Sequence, residues 1–185
     1  MNDLYEYSCL AIAAGWLISC ISGAFLPPRP AVISALLVAV TMMGVQFAFP
    51  TTAVISAVFS PVSVGVAVFA AADMARAFGY EAPRRHPLEL IVALSGYVWF
   101  LAASLGVFGV DPYGFGYSGV GPAAVAILLA GYAFLRSDAL LGATIVLAQL
   151  AWLSGAGSEN LFDHLFGVLL IPALLVGLYR RLRGR

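Results

Sequence analysis

Residues 161–185 read LFDHLFGVLLIPALLVGLYRRLRGR, an apolar segment of about twenty residues that ends in four arginines. About 20 apolar residues are enough to cross the roughly 30 Å hydrocarbon core of a bilayer. The arginines indicate that this end of the chain stays in the cytoplasm, because loops rich in arginine and lysine are not translocated. The stretch therefore predicts a membrane-spanning helix with a cytoplasmic C-terminus.

The composition of the whole chain favours the same class of protein. Of the 185 residues, 62% are hydrophobic and only 10% are charged, with nine arginines balancing nine acidic residues. A soluble domain carries about 25% charged residues, so an ordinary water-soluble enzyme is excluded. The zero net charge, with no basic tract before the C-terminal tail, also excludes nucleic acid as a partner.

Seven apolar segments follow one another along the chain, separated by prolines or short polar loops. They lie at about 8–26, 31–49, 51–72, 88–110, 119–135, 138–153 and 161–179. Proline lacks an amide proton and clashes with the preceding helical turn. We therefore expect Pro27 and Pro50 to end the first two helices and Pro61 to kink the third. No repeat or linker divides the chain, which predicts a single domain over residues 1–185.

The arginines orient these segments. If the chain crosses the membrane seven times, all nine arginines fall on one side, and the acidic N-terminus with Asp3 and Glu6 falls on the other. The positive-inside rule assigns the arginine side to the cytoplasm. We therefore predict an all-α, polytopic bundle of seven transmembrane helices in the cell (inner or plasma) membrane. Its N-terminus is outside and its C-terminus is cytoplasmic.

Metal or cofactor chemistry has little support in the sequence. Cys9 and Cys20 lie on one predicted helix, roughly 16 Å apart, which is too far for a disulfide. The two histidines, His86 and His164, are separated by most of the chain. We expect no metal site and no cofactor.

The first candidate site is the motif Gly116-Tyr117-Ser118-Gly119, at the outer start of the fifth helix. Gly116 and Gly119 would let the backbone turn tightly. Ser118 would lie at or just before a helix N-terminus, whose free amide groups can stabilise an oxyanion. The alternative is that Ser118 only caps the helix and the glycines only serve the turn.

The second candidate is His164, near the outer start of the seventh helix. Imidazole suits general base catalysis near neutral pH, although a histidine there can equally form a hydrogen bond between helices. Because one helix separates the two motifs, the fifth and seventh helices run parallel and can be neighbours. Small residues would let them approach closely: Ala123, Ala126, Ala130 and Ala133 on the fifth helix and Gly167 on the seventh.

Together these motifs resemble those of the rhomboid intramembrane serine proteases. Residues 116–119 match the family's Gly-x-Ser-Gly motif, and His164-Leu165-Phe166-Gly167 resembles its histidine motif two helices later. The resemblance covers about residues 111–185. It implies a six-helix core over residues 31–185, with residues 1–30 as an extra first helix. It also implies that a Ser118–His164 dyad, without a cofactor, cleaves transmembrane segments of substrate proteins.

The sequence departs from the family in two places, and other functions stay open. The third helix has no histidine or asparagine to bind the oxyanion, and only residues 50–52 separate it from the second helix. Gln46 and Gln149 are possible substitute donors, or interhelical hydrogen bonds. One alternative is a non-catalytic integral protein, either an assembly subunit or an inactive rhomboid-like binder of a membrane partner. Another is a small transporter with a polar path along the third helix: Ser56, Ser60, Pro61, Ser63 and Asp73.

Overall fold

The computed structural model describes residues 2–48, 62–81, 83, 85–117 and 120–183. All secondary structure in these ranges is helical. The helices are α1 (Asn2–Ser22), α2 (Pro28–Ala48), α3 (Val64–Ala75), α4 (Pro87–Ser104), α5 (Val120–Leu135), α6 (Ala139–Leu153), α7 (Leu161–Leu165) and α8 (Leu170–Leu182). Short 3-10 turns lie at Arg76–Phe78 and Tyr113–Gly116.

Within the described ranges, four helical regions are long and apolar enough to cross a membrane. They are Leu4–Ser22, Pro28–Val45, Pro87–Ser104 and Leu161–Leu182. α5 and α6 are also apolar but have only 16 and 15 residues. Helices suit a bilayer because their backbone polar groups pair within the segment. The described residues thus support a helical membrane protein, while residues 51–61, including the expected kink at Pro61, lie outside them.

α3 is the central helix of the bundle, in contact with α1, α6, α7 and α8. It begins after the buried Ser63, whose hydroxyl accepts a hydrogen bond from the Val66 amide at 3.1 Å. Gly65 permits the closest approach, because a Cβ there would overlap the carbonyl oxygen of Leu165 in α7. Because Gly65 has no side chain, α7, which carries His164, can pack directly against α3.

The seventh predicted helix is interrupted, which corrects the expectation of one continuous helix over 161–179. α7 ends at Leu165, Phe166 has extended backbone (φ −120°, ψ 141°), and α8 begins at Leu170. Pro172 explains the interruption, because in a continuous helix its ring would clash with the carbonyl of residue 168, whereas the first turn of a new helix accepts it. Gly167 therefore lies between two helices and not on a helix face one turn below His164.

The seven described arginines lie at one end of the bundle, which we call the arginine end. They are Arg29, Arg76, Arg85, Arg136, Arg180, Arg181 and Arg183. Ion pairs and hydrogen bonds connect this end: Arg180 with Asp73, Arg85 with Asp138, Arg136 with Glu89, Arg29 with the Ala77 carbonyl and Arg181 with the Arg85 carbonyl. The gathering on one side agrees with the sequence prediction. Arg84 and Arg185 lie outside the described residues.

Candidate functional site

The predicted serine motif is only partly described. Ser118 and Gly119 lie outside the described residues, as does the side chain of Gln46. Gly116 ends the 3-10 turn that precedes α5, and His164 lies in α7 at the same end of the bundle. The described part of the predicted site therefore consists of residues 113–117 and of the chain around His164.

His164 is buried, with 1% of its surface exposed, and both of its ring nitrogens have hydrogen-bond partners. Nε2 lies 2.9 Å from the carbonyl oxygen of Ser158, and Nδ1 lies 2.8 Å from the Tyr5 hydroxyl. A carbonyl only accepts, so Nε2 carries the proton and donates, while Nδ1 accepts from Tyr5. This arrangement leaves the imidazole no free lone pair for a serine hydroxyl.

Asp163 anchors the hydrogen bonds next to His164. Its Oδ2 accepts from the Ser158 hydroxyl at 2.5 Å and from the Tyr113 hydroxyl at 2.8 Å. Burial, together with the hydrogen bond and the negative charge of Asp163, raises the pKa of Tyr113 above its ordinary value, so this hydroxyl keeps its proton and donates. Among the described residues, the hydrogen bonds link Asp163 to His164 only through Ser158.

Ser158 plays a part that the sequence did not reveal. It directly follows Gly157, whose φ is +81°. Its hydroxyl also accepts a hydrogen bond from the Asn160 amide at 3.0 Å. The turn thereby presents the Ser158 carbonyl to His164 and the Ser158 hydroxyl to Asp163.

Asn160 joins the segment before Ser118 to α7. The side chain is fully buried; its Oδ1 accepts from the Phe162 amide at 2.9 Å and its Nδ2 donates to the Tyr113 carbonyl at 2.9 Å. Gly116 lies directly against it, because a Cβ at residue 116 would overlap Asn160 Oδ1 and lie 2.8 Å from the Phe162 ring. Gly116 thus ends the 3-10 turn and also permits close packing against α7.

We call the connected set Tyr5, Tyr113, Ser158, Asn160, Asp163 and His164 the Asp163 network. It lies at the end of the bundle opposite the arginine end. Tyr5 shows that α1 contributes directly to it, so the first helix is part of the predicted site and not only an addition in front of it.

The small residues of α5 pack on α6 and also take part in an apolar cluster with α7. Ala126 and Ala133 are buried in this cluster with Ile145 and Ala148 of α6 and with Leu161 and Leu165 of α7, while Ala123 and Ala130 are exposed. Gln149 is half-buried and lines a groove between α5 and α6 together with Ala126, Ala130 and Ala133. The small face is therefore shared between α6, which we did not predict as its neighbour, and the helix that carries His164.

The described residues of the transport hypothesis take part in structural contacts. Asp73 accepts from the Trp16 indole at 2.8 Å and from Arg180 at 2.5 and 2.6 Å, and Ser63 caps α3. Ser56, Ser60 and Pro61 lie outside the described residues. A carboxylate held by an arginine and an indole is a structural anchor and gives no support to a polar path.

A large apolar cavity lies between α4 and α5. Its volume is about 700 Å³, and it extends from Pro112 and Phe115 near the Asp163 network to Arg85 and Glu89 at the arginine end. α4 packs mainly on α8 and α5 mainly on α6, which leaves the gap between them. Exposed lining residues on both helices, Val92, Trp99 and Tyr132, mark a lateral opening.

The sequence contained no signal for this cavity, because apolar residues that face a cavity and apolar residues that face lipid look alike. Comparison with known proteins adds no assignment: no family model matches the chain, and no curated protein or solved structure is similar to it at a significant level. The resemblance to rhomboid proteases thus depends on the two motifs alone.

Proposed function

We propose that this chain is a non-catalytic, multi-pass membrane protein that binds a membrane lipid, with an acyl chain in the cavity between α4 and α5. The observation that carries the proposal is the cavity itself. Its volume of about 700 Å³ falls within the range of about 300–1,000 Å³ that is common for small-ligand sites. Its lining is apolar over most of its length, and it opens sideways between two membrane helices, where lipid can enter.

The shape of an acyl chain favours it over a transmembrane helix as the occupant of the cavity. A helix with its side chains is about 10–12 Å wide, whereas an acyl chain is slender and flexible. An acyl chain can therefore enter between α4 and α5 without separating these helices.

In this proposal the Asp163 network stabilises the fold. His164 ties α1 to the loop before α7, and Asn160 ties the segment before Ser118 to α7. These contacts hold Phe115 and Phe162, which line one end of the cavity. The histidine is thus a buried hydrogen-bonding residue, and the site of function is the cavity.

The proposed topology has seven spans, with the arginine end in the cytoplasm of a cell (inner or plasma) membrane. The gathering of arginines at one end of the bundle supports this orientation. α5 and α6 are about 24 and 22 Å long at 1.5 Å per residue, so they span with help from their flanking residues or from local thinning of the bilayer. The Asp163 network then lies at the outer face.

Photo-crosslinking tests the proposed site. A phospholipid with a diazirine in its acyl chain is added to membranes, the protein is extracted and washed in detergent, and samples are irradiated either before or after the wash. Crosslinked residues are then mapped by mass spectrometry. We expect irradiation after the wash still to give crosslinks at Ala93, Gly96, Val125 and Leu129, which line the cavity. Leu37 and Val40 are exposed on α2 and serve as controls that contact bulk lipid, so they are crosslinked only when irradiation precedes the wash. If washing removes the crosslinks at the cavity residues to the same extent as those at the α2 controls, the lipid site is refuted.

Serine hydrolysis by Ser118 and His164 is the second candidate function. One observation favours it: residues 113–116 pack on α7, so the segment that leads into Ser118 contacts the helix that bears His164. For His164 to accept a proton from Ser118, Tyr5 must first give up its hydrogen bond to Nδ1. The Tyr5→Phe variant removes that competing hydroxyl.

A serine-directed fluorophosphonate probe separates the two candidates. Native membranes containing the parent, Tyr5→Phe, Ser118→Ala and His164→Ala are treated with the probe. The lipid-binding proposal predicts that none of the four is labelled at residue 118. The hydrolase would be established instead of the lipid-binding proposal if the probe labels the parent or Tyr5→Phe but labels neither Ser118→Ala nor His164→Ala.

A further inference from the structure

A second, more polar cavity lies at the arginine end. Its volume is about 650 Å³. Four arginines and two acidic residues line it, which leaves an excess of two positive charges: Arg76, Arg85, Arg180 and Arg181 against Asp73 and Glu81. The lining therefore suits an anionic ligand.

The arginines of this cavity differ in how far they are already paired. Arg180 holds Asp73 with two contacts, at 2.5 and 2.6 Å, and so neutralises that carboxylate. Arg76 is 3.7 Å from the same carboxylate and has a half-exposed side chain. Arg181 is exposed and donates from Nε to the Arg85 carbonyl; among the described residues it has no carboxylate partner. Arg181, with no carboxylate partner among the described residues, and Arg76, whose only described carboxylate contact is the long one to Asp73, therefore have donor groups available for a ligand.

The polar cavity adjoins the apolar one. Phe69, Arg85, Leu90 and Leu140 line both cavities, so the two lie side by side at these residues. One amphiphilic molecule could therefore place a charged group among the arginines and a hydrocarbon chain between α4 and α5. A guanidinium group matches the geometry of a phosphate, to which it donates two parallel hydrogen bonds.

We propose that the polar cavity binds the phosphate headgroup of an anionic phospholipid whose acyl chain occupies the apolar cavity. This inference rests on the proposed function and names its ligand class. The proposed orientation places the cavity at the cytoplasmic leaflet, where anionic lipids are present and basic pockets between helices recognise them. Arg76 and Arg181 bind the phosphate, and Arg85 lies where headgroup and chain meet.

Lipid-binding measurements on the purified full chain test the headgroup assignment. The probes are phosphatidylglycerol and phosphatidylcholine with identical, fluorescently labelled acyl chains. We expect phosphatidylglycerol to bind at least tenfold more tightly than phosphatidylcholine. Arg76→Gln and Arg181→Gln should each weaken phosphatidylglycerol binding about fivefold and weaken phosphatidylcholine binding less, because the choline cation of phosphatidylcholine is repelled by the same arginines. Arg183→Gln is the matched control, because Arg183 is exposed at the same end of the bundle, stacks on Tyr179 and does not line the cavity.

The outcomes separate the headgroup assignment from the proposed function. Equal binding of the two lipids, both abolished by Gly96→Phe in the apolar cavity, would refute the headgroup site and keep the lipid site. If the Gly96→Phe variant binds both lipids as tightly as the parent does, the proposed function is refuted, and this inference is refuted with it. Inorganic phosphate that displaces phosphatidylglycerol at equal concentration would show that the site takes free phosphate, which would also overturn the assignment.

Discussion

Replacing Asn160 by alanine is expected to lower the free energy of unfolding by about 2–4 kcal/mol. The Asn160 side chain is fully buried, caps α7 through the Phe162 amide and satisfies the Tyr113 carbonyl. Loss of a helix cap costs about 1 kcal/mol, and each buried polar group left without a partner costs about 1–3 kcal/mol. The first penalty falls on the start of α7, and the second falls on the contact that holds the segment before Ser118 against α7.

Thermal or denaturant unfolding in detergent measures this effect. Gln149→Ala is the matched control, because Gln149 is a half-buried amide in the groove between α5 and α6. We expect it to change the free energy of unfolding by less than about 1 kcal/mol. Equal stability of the Asn160→Ala and Gln149→Ala variants would show that the Asp163 network does not stabilise the fold.

Replacing Gly116 by alanine is expected to destabilise the protein by about 3 kcal/mol, the upper part of the range for overpacking a close contact. The new methyl group would overlap Asn160 Oδ1 and lie 2.6 Å from its Cγ. Asn160 is fixed by its own hydrogen bonds, so the segment 113–116 must move away from α7. That movement breaks the bond from Asn160 to the Tyr113 carbonyl and weakens the bond from Tyr113 to Asp163.

The double variant Gly116→Ala, Asn160→Ala tests this cause directly. Alanine at position 160 removes the atoms that the new methyl group would overlap, so we expect the double variant to be about 1–2 kcal/mol more stable than the sum of the single effects. Gly131→Ala on α5 is the control, since nothing lies within 4 Å of a Cβ there. Additive effects of the two substitutions would contradict the proposed contact.

The class of the protein and most of its helices could be predicted from the sequence. Apolar length and proline positions are local signals, and they placed α2, α5 and α6 within three residues of the observed bounds. α1 begins six residues earlier and ends four residues earlier than predicted, and α4 ends six residues earlier. The arginines likewise marked one end of the bundle, because charged side chains collect where the chain leaves the apolar layer. Pro172 also carried a local signal for the break between α7 and α8, which we did not use.

The contacts of the candidate site could not be predicted in the same way. Tyr5 and His164 are 159 positions apart, and a hydrogen bond over that distance leaves no pattern in the sequence. Tyr5 belongs to the polar start of the first helix, where a tyrosine is common at a membrane interface. The glycine before Ser158 was visible, but its positive φ and the direction of the Ser158 carbonyl depend on how the loop packs on α7.

Lipid retention in a cavity-filling variant tests the central claim most directly. Gly96 lines the cavity and Gly131 does not, and a Cβ at either position has no neighbour within 4 Å, so a side chain can be added at both without a clash at its first atom. The parent, Gly96→Phe and Gly131→Phe are purified identically in detergent, and retained phospholipid per protein is measured by mass spectrometry. We predict that Gly96→Phe retains at most one-fifth of the lipid bound by the parent and by Gly131→Phe, a loss of about 1 kcal/mol or more in binding free energy. Equal retention by all three proteins would contradict the account.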